Sequence, residues 1–343
     1  MSDTLRFPAE WEPQSAVLLA WPHAETDWAE RLDQVEETYI ALVAAIARFQ
    51  TAIVVVADDD LEAYARARLA SARVDMGRVR FVEAPYDDTW LRDSGPITLL
   101  GAPRARLLDF RFTGWGGKFD ASLDDRLVER LHDLELFANT DRETIDFALE
   151  GGGIETDGAG TLLTTWRCLH QRHPSVDRES LSARLAGWLR QDRVLWLEHG
   201  YLEGDDTDAH IDTLARFAAP DAIVYQGCDD PADAHFAELQ AMAAELAALR
   251  TRDGRPYRLF ALPWARPVID DGRRLAASYA NFLIVNGAVL MPAYGDEADA
   301  AAQAVLAEAF PDREIVPVPC RPLIWQNGSL HCVTMQVPRG VVA

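Results

Sequence analysis

Short apolar runs alternate along most of the chain with longer segments whose apolar residues recur every three or four positions. Residues 16–21 are uninterrupted hydrophobic side chains, which predicts a buried strand. Residues 30–49 then place Leu32, Val35, Tyr39, Leu42, Val43 and Ile46 on one helical face. A β-branched run at 51–57 predicts a strand, 58–70 a helix and 79–84 another strand. Further strands are expected at 97–100 and 106–112, followed by a helix at 121–136. The middle repeats the theme, with strands at 161–165 and 193–197 around a helix at 178–190, then strands at 212–217 and 222–225. Two later helices carry start signals: Asp230 ahead of Pro231 for 231–249, and Asp296 ahead of 297–309. Between them Asn286-Gly287 separates apolar runs at 279–285 and 288–291, a strong hairpin signal.

The order strand, strand, helix, strand recurs roughly every sixty residues, with helices centred near 129, 184, 241 and 303. Such a period points to a propeller or an array of similar units that bury one another's faces. A doubly wound sheet would also alternate strands and helices, but the Asn286-Gly287 hairpin requires antiparallel neighbours. A repeated α/β architecture is therefore expected.

Composition narrows the function. The 343 residues include 33 Lys and Arg against 55 Asp and Glu, a formal net charge of −22. That surface repels nucleic-acid backbones and anionic membranes, and it weakly favours a cationic small molecule. No stretch approaches the ~20 apolar residues of a membrane span. The first residues show no charged segment leading into an apolar run, so a cytoplasmic location is expected. Cys168, Cys228, Cys320 and Cys332 form no C-x-x-C pair, which argues against a zinc knuckle or disulfide framework. Asn327-Gly328-Ser329 formally matches a glycosylation acceptor, a reading that carries little weight in such a chain.

Four stretches set acids, His or Cys among glycines and aromatics. Residues 87–96 (Asp-Asp-Thr-Trp-Leu-Arg-Asp-Ser-Gly-Pro) read alone as a capped turn. Glu150-Gly151-Gly152-Gly153 permits a close backbone approach or merely a bend, and lacks a phosphate-loop pattern. Residues 205–212 hold four aspartates and His210 without calcium-loop spacing, and in an extended chain His210 and Asp212 face one side. Cys332, in a short β-like stretch, would by itself be an ordinary buried thiol. Their spacing changes that. Asp93, Glu150, Asp212 and Cys332 lie 57, 62 and 120 residues apart, in step with one, one and two units of the repeat. Equivalent places in similar units converge on one site. Three carboxylates there would raise a thiol's pKa unless a cation neutralised them, and a guanidinium meets that demand by pairing bidentately with carboxylates.

At these residues the chain resembles the agmatine deiminase family, grouped with the Porphyromonas-type peptidylarginine deiminases among guanidine-modifying enzymes. The resemblance rests on residues 87–96, Gly114-Trp115-Gly116-Gly117-Lys118, Glu150-Gly151-Gly152 with residues 160–165, residues 206–212, Ser278-Tyr279-Ala280-Asn281-Phe282 and His331-Cys332-Val333-Thr334. It implies one domain over 8–338, an α/β fold forming a five-bladed pseudo-symmetric propeller of ββαβ units. It further implies Cys332 as nucleophile, His210 as general acid and base, Glu150 orienting that imidazole, and Asp93 and Asp212 gripping the guanidinium. Trp90 and Trp115 would flank the substrate, with packing as their ordinary alternative, and Asp206 would lie near its distal end. The reaction implied is hydrolysis of agmatine to N-carbamoylputrescine and ammonia through a covalent thiouronium, with neither metal nor organic cofactor. Assembly into a homo-oligomer is left open.

Two departures stand out: Asn327-Gly328-Ser329 replaces the family's Gly-Gly-Asn, and Glu155 stands where many members carry His. Both are expected near substrate-contact loops. Alternatives are a peptidylarginine or other guanidine deiminase, an amidinotransferase, a non-catalytic propeller binding arginine-like ligands, and a thiol amidase, which would need no acid-lined pocket.

Overall fold

Five sheets of three or four strands share one wiring pattern in the computed structural model, which describes residues 5–343. The polar start at residues 1–4 therefore lies outside the described residues. Ile97–Leu99 pairs antiparallel with Ala105–Arg111, which pairs parallel with Thr140–Ala148. The same antiparallel-then-parallel order links Ile154–Thr156, Thr161–Thr165 and Arg193–Leu197. It recurs in Ala215–Ala219, Ala222–Gln226 and Arg258–Leu262, and in Leu283–Val285, Ala288–Ala293 and Glu314–Pro319. In the fifth sheet Met335–Pro338 lies antiparallel to Gln14–Ala20, which runs parallel to Thr51–Val56, itself parallel to Val79–Glu83.

Connection length explains the pattern, since antiparallel neighbours need only a short turn and parallel ones need a crossover. Val285 pairs with Ala288 across Asn286-Gly287, where Gly287 takes φ 77°. Crossover helices follow at Leu32–Ala47, Leu127–Asp133, Arg178–Leu189, Phe236–Ala248 and Asp299–Ala309. The architecture is thus mixed α/β, built from several small mixed sheets, as the periodicity predicted. Helix faces seal them: Val35, Tyr39, Leu42 and Ile46 are all buried against strand residues such as Val17, Leu19 and Val54.

Several boundaries differ from those expected, for local reasons. The helix after Asp230 begins only at Phe236, because Asp230 accepts the Ala232 N–H in a preceding turn. Likewise Asp296 accepts the Ala298 N–H and the helix starts at Asp299. The helix expected at 121–136 shortens to Leu127–Asp133, after a turn in which Asp87 and Asp124 accept one another's backbone N–H. Residues 210–212 are not extended: Ile211–Thr213 is a 3-10 turn, and the strand starts at Ala215. The strand expected from 279 starts at Leu283, because Ser278 and Asn281 engage nearby backbone groups first.

Candidate active site

Each of the five sheets has a polar residue just before its leading strand. Asp93 sits in the Leu91–Ser94 turn before Ile97, and Glu150 precedes the Gly151–Gly153 turn before Ile154. Asp212 lies in the Ile211–Thr213 turn before Ala215, and Cys332 lies in a turn before Met335. The fifth, Asn281, precedes Leu283 and was not singled out from sequence. It fills the two-unit gap between Asp212 and Cys332, a signal the register already contained.

These residues converge. The Cys332 Sγ is 3.4 Å from Asn281 Oδ1 and 3.8 Å from Asp212 Oδ2. The Arg92 N–H donates to the Cys332 carbonyl at 3.1 Å, tying the turn that carries Asp93 to the one that carries the thiol. Gly152 stands at the meeting point: a Cβ there would lie 2.6 Å from His210 Nδ1, 2.8 Å from Asp93 Oδ1 and 3.1 Å from Asp212 Oδ2. Only glycine fits, and its N–H donates to Asp93 Oδ1 at 2.9 Å. The triple glycine thus brings backbone to the side chains of the site.

His210 reaches this centre through backbone strain, not through an extended strand. Asp208 and Ala209 take φ of 65° and 69°, conformations costly for residues with a Cβ. The buried ring then places Nδ1 3.6 Å from Asp93 and Nε2 3.5 Å from Glu150, beyond hydrogen-bonding reach. Neither ring nitrogen has a hydrogen-bond partner. Burial disfavours its charge, yet Asp93, Cys168 and Glu150 outweigh burial and hold the imidazole well above its ordinary pKa. Glu150 is kept below its ordinary value because His210 and Arg172 together outweigh burial. Arg172 Nε donates to Glu150 Oε1 at 2.7 Å, while its Nη1 meets Asp208 at 2.6 Å.

His331, next to the thiol, is held differently. Its Nδ1 lies 2.7 Å from Asp212 Oδ2 and its Nε2 2.8 Å from Glu10 Oε2. Glu10 also accepts from Arg216 at 2.8 Å, and Arg216 reaches Glu155 at 2.7 Å. Glu155 therefore belongs to a buried ion network and does not line the cleft, contrary to expectation. Asp212 sits below its ordinary pKa, since His331, His210 and Arg216 outweigh burial. Its Oδ1 is buried with no partner. Asp93 goes the other way, raised by burial and by the charges of Asp212 and Glu150. Burial first, then Asp212 and Asp93, push the Cys332 thiol well above its ordinary value, the direction expected from the carboxylates.

A cleft of about 520 Å³ opens onto Cys332 and Asp93. Trp90 and Trp115 line it in edge contact, with ring centroids 6.5 Å apart, and Phe112 and Phe119 pack on Trp115. Trp115 has φ 56° between glycines also at positive φ, and that turn aims its Nε1–H at Asp93 Oδ2, 2.9 Å away. Gly328 lies flat against Trp90, where a Cβ would fall 2.1 Å from the ring. Eight carboxylates line the cleft against one cation, Arg273. Two of them, Asp88 and Asp124, are pushed up to about 7 by burial. Asp206, at the same cleft, accepts from Asn327 Nδ2 at 2.6 Å.

The Cys332 thiol and the Asp93 carboxylate line an acid-rich cleft, with Asp212 and the His210 imidazole buried outside its lining, an arrangement suited to a compact cation. The family profile for Porphyromonas-type peptidyl-arginine deiminase matches residues 6–338, and the chain belongs to this family. Among its relatives, the agmatine deiminase of Stutzerimonas stutzeri is 36% identical, covering 98% of this chain and 96% of that one. A solved structure from Porphyromonas gingivalis, provisionally called an arginine deiminase, is 47% identical with TM-score 0.90, covering 99% of both chains. A Cys-to-Ser variant of C. jejuni agmatine deiminase with substrate bound is 32% identical with TM-score 0.90, covering 98% of this chain and 97% of that one.

Proposed function

We propose that this chain hydrolyses the guanidinium group of agmatine to N-carbamoylputrescine and ammonia. The carrying observation is Asp212, whose Oδ2 lies 3.8 Å from the Cys332 Sγ and shares the Gly152 contact with Asp93, and whose Oδ1 is buried without a partner. A guanidinium N–H satisfies that oxygen, and two carboxylates hold its nitrogens while sulfur approaches the central carbon. The substrate's charge also offsets what raises the thiol pKa, so ionisation of Cys332 is coupled to binding. The thiolate attacks the guanidinium carbon, and His210 protonates the departing nitrogen, which leaves as ammonia. His210 then takes a proton from water, whose oxygen attacks the thiouronium carbon. The adduct then breaks its C–S bond, its hydroxyl proton passes to sulfur as the carbonyl forms, and the ureido product departs with Cys332 restored as a thiol. Glu150 orients the imidazole. Trp90 and Trp115 flank the substrate chain, and Asp206 faces its distal ammonium.

Similarity to agmatine deiminases over nearly the full length supports the substrate. The 47% identical arginine deiminase and the name of the family support a second reading, a free or peptidyl arginine substrate. The five equivalent sheets, each contributing one residue to the centre, support a five-bladed pseudo-symmetric propeller spanning residues 8–338 as one domain. No helix among the described residues is long and apolar enough to cross a membrane, and a cytoplasmic site of action remains our reading. A panel of agmatine, arginine and an arginine peptide, with ammonia and ureido product quantified, tests the function. Agmatine should lead. Absence of turnover on every guanidine would sink the deiminase assignment, and turnover surviving Cys332→Ala would sink the covalent route.

A further inference from the structure

Cys168 has no part in the reaction described above, yet it lies against the acid–base residue. One ligand atom each of Glu150, Cys168 and His210 lie within 4.8 Å of one another, and all three residues are buried. They come from three segments: the end of the Thr140–Ala148 strand, the Trp166–Arg172 helix and the turn before Ala215. We propose that these three side chains bind a thiophilic divalent ion such as Zn²⁺, and that the bound ion silences the enzyme by withdrawing His210 from proton transfer.

A carboxylate, a thiolate and an imidazole are a donor set that suits zinc. Glu150 engages Arg172 through Oε1, which leaves Oε2, the oxygen nearer His210, for the ion. His210 Nε2 is buried without a hydrogen-bond partner, so no bond must break before it ligates. Its other nitrogen faces Asp93 at 3.6 Å, the outer carboxylate that commonly orients a ligating histidine. The charge fits as well. A divalent ion among Asp93, Glu150 and a Cys168 thiolate compensates their negative charge. Gly153 adjoins the same place, its Cβ direction pointing towards Cys168 Sγ and the His210 ring.

Silencing rests on the role proposed for His210; binding does not. Co²⁺ gives a direct readout, because a thiolate–cobalt bond produces a charge-transfer band absent from nitrogen and oxygen sites. Wild type and Cys332→Ala should each take one Co²⁺ with that band. Cys168→Ala should lack it and bind Zn²⁺ at least about 100-fold more weakly, beyond the loss typical of an outer partner. Cys168→Ser repeats the test should the alanine variant misfold. Zn²⁺ should abolish guanidine turnover by wild type and leave that of Cys168→Ala unaffected. A band that survives Cys168→Ala, or wild type that takes up no metal, overturns the site. Binding without loss of turnover overturns the silencing. If no variant turns over any guanidine, the deiminase reading has failed and the cobalt band still decides the site.

Discussion

His210 and His331 are both buried, and each stands between two carboxylates. The His331 nitrogens sit 2.7 and 2.8 Å from Asp212 and Glu10, and those of His210 sit 3.5 and 3.6 Å from Glu150 and Asp93. The first ring meets both acids at hydrogen-bonding distance, and those contacts lock it in place. The second has charge around it but no hydrogen bond to surrender. In the proposed reaction His210 gives a proton and takes one back, and such a group works best when neither state is pinned. One histidine is thus built into the scaffold that holds Asp212, and the other is left free to exchange.

The comparison breaks most visibly in turnover. His210→Ala should lower kcat by about 10²–10⁴-fold, the ordinary worth of a positioned acid–base group. Binding of agmatine, measured by calorimetry, should persist within a few-fold. A loss of turnover smaller than tenfold would show that the ring moves no proton. Next comes stability. His331→Ala leaves Asp212 and Glu10 buried without their shared partner, a change that costs about 3–5 kcal/mol in comparable pairs. Denaturant unfolding should rank it well below His210→Ala in stability. The reverse ranking would contradict the assignment of His331 to the scaffold.

Much of this centre was legible in the sequence, because each unit repeats the same punctuation and places its polar residue at the same step. The spacing of Asp93, Glu150, Asp212 and Cys332 pointed to one shared site, and the family resemblance supplied their expected roles. Asn281 was hidden because asparagine in a turn is commonplace, although the gap in the register marked its unit. The Glu10–His331 contact bridges 321 positions, and no local pattern encodes such a pairing. Nor could spacing reveal that His210 and Asp212 meet through left-handed residues and a 3-10 turn. Cysteine spacing likewise says nothing of Cys168, whose neighbours come from other segments. Helix starts failed where Asp230 and Asp296 formed local turns, which compete with capping for the same carboxylate.

Acidity separates the two regions further. Cys332 and His210 are both raised, so the bell of kcat/KM, which needs thiolate and imidazolium together, should peak above pH ~7.5, midway between their ordinary values. An optimum below 7 would contradict these shifts. Stability carries its own sign. The raised pKa of His210 stabilises the fold fully below its unfolded value of about 6.5 and ceases to as pH climbs through the folded value. The stability gap between wild type and His210→Ala should therefore narrow with rising pH. Asp212, lowered by its neighbours, behaves oppositely. Its contribution is present above about 3.9 and fades as pH falls through the folded value. A gap for His210→Ala that widened with pH would reverse the reading.

The smallest effect is expected at the cleft, where Asn327 joins Asp206 and Arg273 through bonds of 2.6 Å each. Asn327 takes φ 73°, so alanine would add backbone strain to any loss of contact. Asn327→Gly removes the side chain while keeping that conformation available, and isolates the two bonds. Asp206, freed from Asn327, gains an unshared carboxylate for a cation in the cleft. A hydrogen bond of this kind is worth about 1 kcal/mol, so KM for agmatine should fall by roughly five-fold with kcat unchanged. An arginine peptide, with no ammonium at the distal position, should show no such gain. Equal gains for both substrates would mean that Asp206 does not read the distal charge. A kcat that fell with KM would instead place Asn327 in control of the thiol, through the backbone that leads from it to Ser329 and Cys332.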